Sequence, residues 1–190
     1  MFPVEAFRST VEKFVQIATA LELPFHLTGG SISSAYGEPR LTQDIDIVIS
    51  PAVARAKLDQ LLEQLSQSDF MFSETAVRSA ILTGELFQLL DNTESLKLDL
   101  YPRELIAGEL DRSEPVEIFN GLSLPVVSRI DAAASKLIWV QKGSHRSRRD
   151  LRSIFRNSDE MQQEQIRALA MKFGLNDLLQ EVLRESDEIR

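Results

Sequence analysis

Apolar residues between Val4 and Leu21 fall at Phe7, Val11, Phe14, Val15, Ala18 and Leu21, and that spacing predicts a helix. After Pro24 the pattern changes. Phe25–Thr28 reads as a short strand, Gly29-Gly30-Ser31 breaks it, and Ile32–Tyr36 starts a short helix. Asp44–Ile49 alternates polar with β-branched residues, as a half-buried strand does. Pro51 suits a helix start, and Leu58, Leu61, Leu62 and Leu65 continue that helix on one face. Phe70–Phe72 reads as a strand, with a short helix after Glu74. Glu85–Leu90 and Leu96–Tyr101 read as strands joined by the polar turn Asp91–Glu94. Asn120-Gly121 between Val116–Phe119 and Leu122–Val127 is a hairpin signal. From Ser128 onward the spacing is helical: Arg129–Gln141, Ser147–Arg156, Asp159–Phe173 and Asn176–Glu185. Ser128 with Asp131 fits an N-terminal cap, and Gly143 and Gly174 punctuate the run.

The order predicts an α/β (α+β) chain. A mixed sheet flanked by helices occupies residues 1–127, and a small helical bundle packed on that core occupies 128–190. Hydrophobic residues at 43% and charged residues at 26% fit a globular protein with a real core.

One strand carries candidate chemistry. Asp44 and Asp46 are two apart and share a face, while Ile45, Ile47 and Ile49 share the other. Adjacent carboxylates repel unless a cation or water answers them. Hard oxygen donors of this kind suit Mg²⁺ or Mn²⁺. An isolated Asp-x-Asp is more often a solvated strand face, but two further features bear on it. Gly29-Gly30-Ser31 follows a strand and precedes a helix, where backbone N–H groups can approach phosphate oxygens; an ordinary turn reads the same way. Asp99 lies on the polar face of Leu96–Tyr101, with Lys97 and Tyr101, and offers either a third carboxylate or another solvated side chain.

Charge and composition narrow the field. The 190 residues carry 21 Lys+Arg against 29 Asp+Glu, a net charge of −8, with no Cys. A disulfide framework, a thiolate metal site and a Cys nucleophile are excluded together. Bulk coating of nucleic acid is excluded by the acidic total. No apolar run is long enough to span a membrane, and the charged N-terminal residues do not resemble a signal peptide, so a cytoplasmic location is expected. His26 reads as structural, His145 as a loop residue, and Trp139 as packing between the sheet and the terminal helices. Ser33 and Ser34 have no triad to join.

The stretch Thr28-Gly29-Gly30-Ser31, then Tyr36-Gly37-Glu38-Pro39-Arg40-Leu41-Thr42-Gln43-Asp44-Ile45-Asp46, with a later Asp99, resembles the DNA polymerase β-like nucleotidyltransferase superfamily. It is similar to the small bacterial nucleotidyltransferases related to AbiEii-type toxins. The resemblance extends through Ser135-Lys136-Leu137-Ile138-Trp139 and Arg148-Arg149-Asp150, roughly residues 25 to 155. It implies a nucleotidyltransferase fold and transfer of a nucleoside monophosphate from an NTP to an unknown hydroxyl or phosphate acceptor, with pyrophosphate release. It further implies that Asp44 and Asp46 hold the ion that bridges the triphosphate. Asp99, with both, would hold a second Mg²⁺ or Mn²⁺ about 3.5–4 Å away. The resemblance also offers Asp99 as the group that takes the acceptor proton. Gly29, Gly30 and Ser31 would cradle phosphates, and Lys136 and Asp150 would complete the active-site set. A fold kept without catalysis, or a toxin–antitoxin component with an antitoxin or other protein partner, is the alternative.

Between Lys136 and Arg156 seven cations face only Asp150, which leaves a local +6 and puts −14 on the rest of the chain. Lys136 is a compact charge suited to phosphate. Asp150 borders the apolar stripe of Leu151, Ile154 and Phe155 and needs a partner: a nearby Arg, Lys136 or substrate. Arg146, Arg148, Arg149 and Arg152 are candidate contacts for tRNA or another RNA acceptor, against the plainer reading of a solvated face. Arg40, just before the acidic strand, is a candidate phosphate contact or a partner for a neighbouring acid.

Overall fold

The computed structural model describes residues 4–37 and 44–186. They fall into two compact units, one of residues 4–31 and 44–127, the other of 32–37 and 128–186.

The first unit is built on a seven-stranded mixed sheet. In chain order its strands are β1 (Phe25–Thr28), β2 (Asp44–Ile49), β3 (Phe70–Met71), β4 (Phe87–Asp91), β5 (Lys97–Tyr101), β6 (Glu114–Phe119) and β7 (Leu122–Val126). They lie in the order β3-β4-β5-β2-β1-β7-β6. The pairs β1–β2, β3–β4, β4–β5 and β6–β7 are antiparallel, whereas β2–β5 and β1–β7 are parallel. Parallel neighbours need crossovers, and these are helical: α3 (Pro51–Ala56), α4 (Leu58–Ser66) and α5 (Glu74–Thr83) lie between β2 and β4 in the chain. The helix expected to run on from Pro51 divides at Lys57, whose ammonium donates to the Leu21 carbonyl at 2.7 Å.

Register assigns the two faces of the sheet. Leu27, Ile45, Ile47, Leu89, Leu98 and Leu100 point one way and are essentially inaccessible. Burying each such side chain contributes about 2 kcal/mol. Helix α1 (Val4–Ala20) closes this face, with Phe14 meeting Phe25 edge-on at 5.3 Å. It is also pinned by Asp91, whose carboxylate accepts from Thr10 Oγ1 at 2.8 Å and Lys13 Nζ at 2.9 Å. The other face carries the polar positions of β2 and β5. It also carries buried His26, whose Nδ1 meets Ser113 Oγ at 2.8 Å, in keeping with its structural reading.

Helix α2 (Gly29–Tyr36) starts three residues earlier than the glycine pair suggests, because Gly29 takes φ +74° and turns the chain directly from β1 into the helix. The later part of α2 belongs to the second unit, with α6 (Arg129–Gln141), α7 (His145–Arg156), α8 (Glu160–Lys172) and α9 (Asn176–Arg184). Each of α6, α7 and α8 has a side-chain cap, from Ser128, Ser144 and Asp159. Leu137, Leu151, Ile154, Ile166, Leu179 and Val182 form the unit's core. Arg129 donates to the carbonyls of Tyr36 and Asn157 at 2.8 and 3.1 Å and stacks over the Tyr36 ring. Trp139 is 37% exposed under Lys142, not packed between layers as expected. Among the described residues no helix is long and apolar enough to cross a membrane.

Candidate active site

The acidic face follows from strand register. β2 and β5 run parallel with Asp44 opposite Lys97 and Asp46 opposite Asp99. Side chains alternate along each strand, so Asp44, Asp46, Lys97, Asp99 and Tyr101 share one face. β4 adds Gln88, opposite Asp99. Thus the third carboxylate, expected on a strand that lies beside the first, is directly across from Asp46.

Three polar groups tie the carboxylates. Lys97 Nζ lies 3.2 Å from Asp44 Oδ1 and 3.3 Å from Asp99 Oδ1. Gln88 Nε2 donates to Asp99 Oδ1 at 3.0 Å, and Tyr101 Oη donates to Asp46 Oδ1 at 3.1 Å. Both partners of Asp99 therefore meet one oxygen, and among the described residues no hydrogen bond reaches Oδ2. Burial would lower the Lys97 pKa, yet Asp44 and Asp99 hold it above the usual lysine value, so the ammonium is charged. Burial and the Asp46 carboxylate push the Tyr101 phenol well above its ordinary value, which keeps it a proton donor.

Gly29 brings the start of α2 against this face. A Cβ there would lie 1.9 Å from Asp46 Oδ2 and 2.4 Å from its Cγ. Only glycine meets both the positive φ and the contact. Gly30 is buried in the same first turn. Ser31 opens α2 as well, but its side chain lies outside the described residues, as does all of Arg40.

The expected metal cage is not preformed. Among the described residues, no three His, Asp or Glu side chains are arranged to hold an ion. The donor type and the shared face suit a hard cation. The side chains are instead turned to other partners: Lys97 spans Asp44 and Asp99, and Tyr101 holds Asp46.

In the second unit Lys136 and Asp150 come together, Nζ to Oδ2 at 3.0 Å, and both are about 8% exposed. Asp150, on α7, thus pairs with this lysine from α6. Arg148 pairs with Glu181 at 2.9 Å and with Glu185, and Arg152, itself 7% exposed, also pairs with Glu185. These two arginines are engaged by the acids of the C-terminal segment, Glu181 and Glu185. Arg146 and Arg149 are exposed.

The polar face of Leu96–Tyr101 signalled Lys97 and Tyr101 as neighbours of Asp99, but their contacts with Asp44 and Asp46 depend on strands about fifty residues apart. Gln88 was legible only through the register of the hairpin about residues 91–94.

Comparison with known proteins bears on the whole chain. A family model described as nucleotidyl transferase AbiEii toxin, type IV TA system, matches residues 16–180. The fold is similar to that of the antibiotic-resistance factor ANT(2'')-Ia, with a TM-score of 0.56 and 15% identity over 91% of this chain and 94% of that one. It is similar also to an antigenic nucleotidyltransferase-like protein from Paracoccidioides brasiliensis, with a TM-score of 0.55 and 17% identity over 99% and 96% of the two chains. At those identities the likeness is one of fold. No curated protein sequence matches.

Proposed function

We propose a reaction from one premise: the chain belongs to the AbiEii family of nucleotidyl transferases, and is itself a nucleotidyltransferase. In our reading it moves a nucleoside monophosphate from an NTP to a hydroxyl or phosphate oxygen of an acceptor. The acceptor oxygen attacks the α-phosphorus, and its proton passes to Asp99. The bond from that phosphorus to the bridging oxygen breaks, and pyrophosphate leaves with the electron pair. The observation that supports this is the convergence of Asp44, Asp46 and Asp99 on one sheet face beside Gly29 and the start of α2.

Each residue has a role. Bound Mg²⁺ or Mn²⁺ would stabilise the charge that builds on the attacking and leaving oxygens. Asp44 and Asp46 would hold it. Asp99, whose Oδ2 carries no hydrogen bond among the described residues, would accept the proton. Gly29 and Gly30 let backbone N–H groups approach the β- and γ-phosphates. In the second unit, Lys136, held at Asp150, is the candidate phosphate contact. Exposed Arg146 and Arg149 suit the backbone of an RNA acceptor.

The test is transfer from labelled NTPs, with Mg²⁺, to a pool of RNA and small molecules. Labelled product that disappears in Asp46→Asn, with the fold unchanged by circular dichroism, supports the reading. NTP binding without transfer, indifferent to Asp44→Ala and Asp46→Ala, would instead favour a non-catalytic module.

The description of the family model favours a second level of reading, in which the chain is the toxin of a type IV toxin–antitoxin pair and has an antitoxin as partner. Growth arrest on induction, absent in Asp46→Asn, is the expected result. Normal growth at the strongest expression counts against it.

A further inference from the structure

Three carboxylates on one sheet face invite two divalent ions, but one of the two places is taken. Lys97 Nζ stands within 3.3 Å of both Asp44 and Asp99, and Gln88 holds Asp99 from the other side. This is not an incidental surface contact. Register fixes Asp44 and Lys97 opposite one another on adjacent parallel strands, and Asp99 follows Lys97 on the same face. The backbone therefore sets Lys97 beside both carboxylates, and its side chain reaches them. Asp46, the third carboxylate, accepts from Tyr101 Oη.

We propose that Lys97 is the permanent substitute for a second ion, so that this is a one-metal active site. The inference rests on the reading of the acidic face as a divalent-ion site. Charge supports it. Three carboxylates and one ammonium carry −2, which a single divalent ion neutralises. Without the ammonium the same face carries −3, more than one such ion answers. Lys97 also bears on Asp99. The ammonium meets Asp99 through Oδ1, and among the described residues no hydrogen bond reaches Oδ2, which stands for the acceptor's proton. Lys97 is thus a positioning residue for Asp99 and sets the ion count of the site.

The experiment counts ions. Mn²⁺ bound per chain is measured at saturation by equilibrium dialysis with an equimolar non-hydrolysable NTP analogue, and by anomalous scattering from Mn²⁺-soaked crystals. One ion is expected for the wild type, one for Lys97→Arg, which keeps the charge, and two for Lys97→Met. Where Lys97→Met does not fold, Lys97→Gln takes its place. Two ions in the wild type overturn the inference and leave the metal-site reading standing. So does a single ion in the folded Lys97 variants without charge. No Mn²⁺ in the wild type or in any variant overturns the inference and the metal-site reading together.

Discussion

Asp91, at the end of β4, and Asp99, in the middle of β5, both meet a lysine, yet their surroundings differ in kind. Asp91 is fully buried and both its oxygens are in use. Oδ1 accepts from Lys13 and from the backbone N–H groups of Thr93 and Glu94, and Oδ2 from Thr10. Its lysine also reaches the exposed Asp69 at 3.4 Å. Asp99 accepts from Gln88 and Lys97 through one oxygen, and its lysine is shared with Asp44. The first cluster is complete without a ligand and locks α1 to the sheet. The second holds three carboxylates to one ammonium and keeps acceptor capacity in reserve. Local completeness, and not burial or charge alone, separates a structural carboxylate from one poised for chemistry.

Substitution at each cluster should therefore fail in different ways. The largest effect is expected from Asp46→Asn. Transfer should fall by about a thousandfold, the scale of losing a group that stabilises developing charge, while the melting temperature stays close to wild type. A melting shift as large as that of an Asp91 variant would place both clusters in the same structural class. Asp91→Ala comes next. It strands Thr10 and Lys13, and loss of one partner of a buried pair costs about 3 kcal/mol, read as a lower urea midpoint with transfer per folded molecule retained. Gly29→Ala falls between the two kinds. Its methyl group would meet Asp46 at 1.9 Å in a backbone conformation of φ +74°. A stability loss of about 2 kcal/mol should accompany loss of transfer, because the residue that must shift is a proposed ion ligand. Transfer at the wild-type rate would show that Asp46 tolerates displacement.

The same comparison shows what the chain discloses by itself. Alternation in Asp44–Ile49 and Leu96–Leu100 is a local signal, and it located both strands and the three carboxylates on their polar faces. The Ser128 cap was equally local. Asp91 reads as part of a polar turn, because nothing nearby in sequence announces Thr10 and Lys13, some eighty residues earlier. For the same reason Arg148 and Arg152 read as surface charges until α9 supplies Glu181 and Glu185. Periodicity assigns a side chain to a face. What answers its charge is decided by tertiary register, and that is where the two clusters part.

The mildest test is acidity, and it addresses the complete cluster alone. Burial would raise the Asp91 pKa, but hydrogen bonds from Lys13, Thr10 and the backbone of Glu94 and Thr93 outweigh it and hold the carboxyl below its ordinary value. A folded-state value below the unfolded one means that the unfolded chain binds the proton more readily. The stability Asp91 contributes is then fully present above the unfolded carboxyl value, about 3.9, and is lost as pH falls through the folded value. Lys13 mirrors this at the other end. Its raised pKa, set against burial by Asp91 and Asp69, gives stability that is present below the unfolded lysine value and lost as pH rises through the folded one. Urea midpoints measured from pH 6 to pH 3 should fall less steeply for Asp91→Asn than for the wild type, from a lower starting value. Parallel curves would assign the acid loss to other carboxylates and remove the electrostatic distinction between Asp91 and the open face around Asp99.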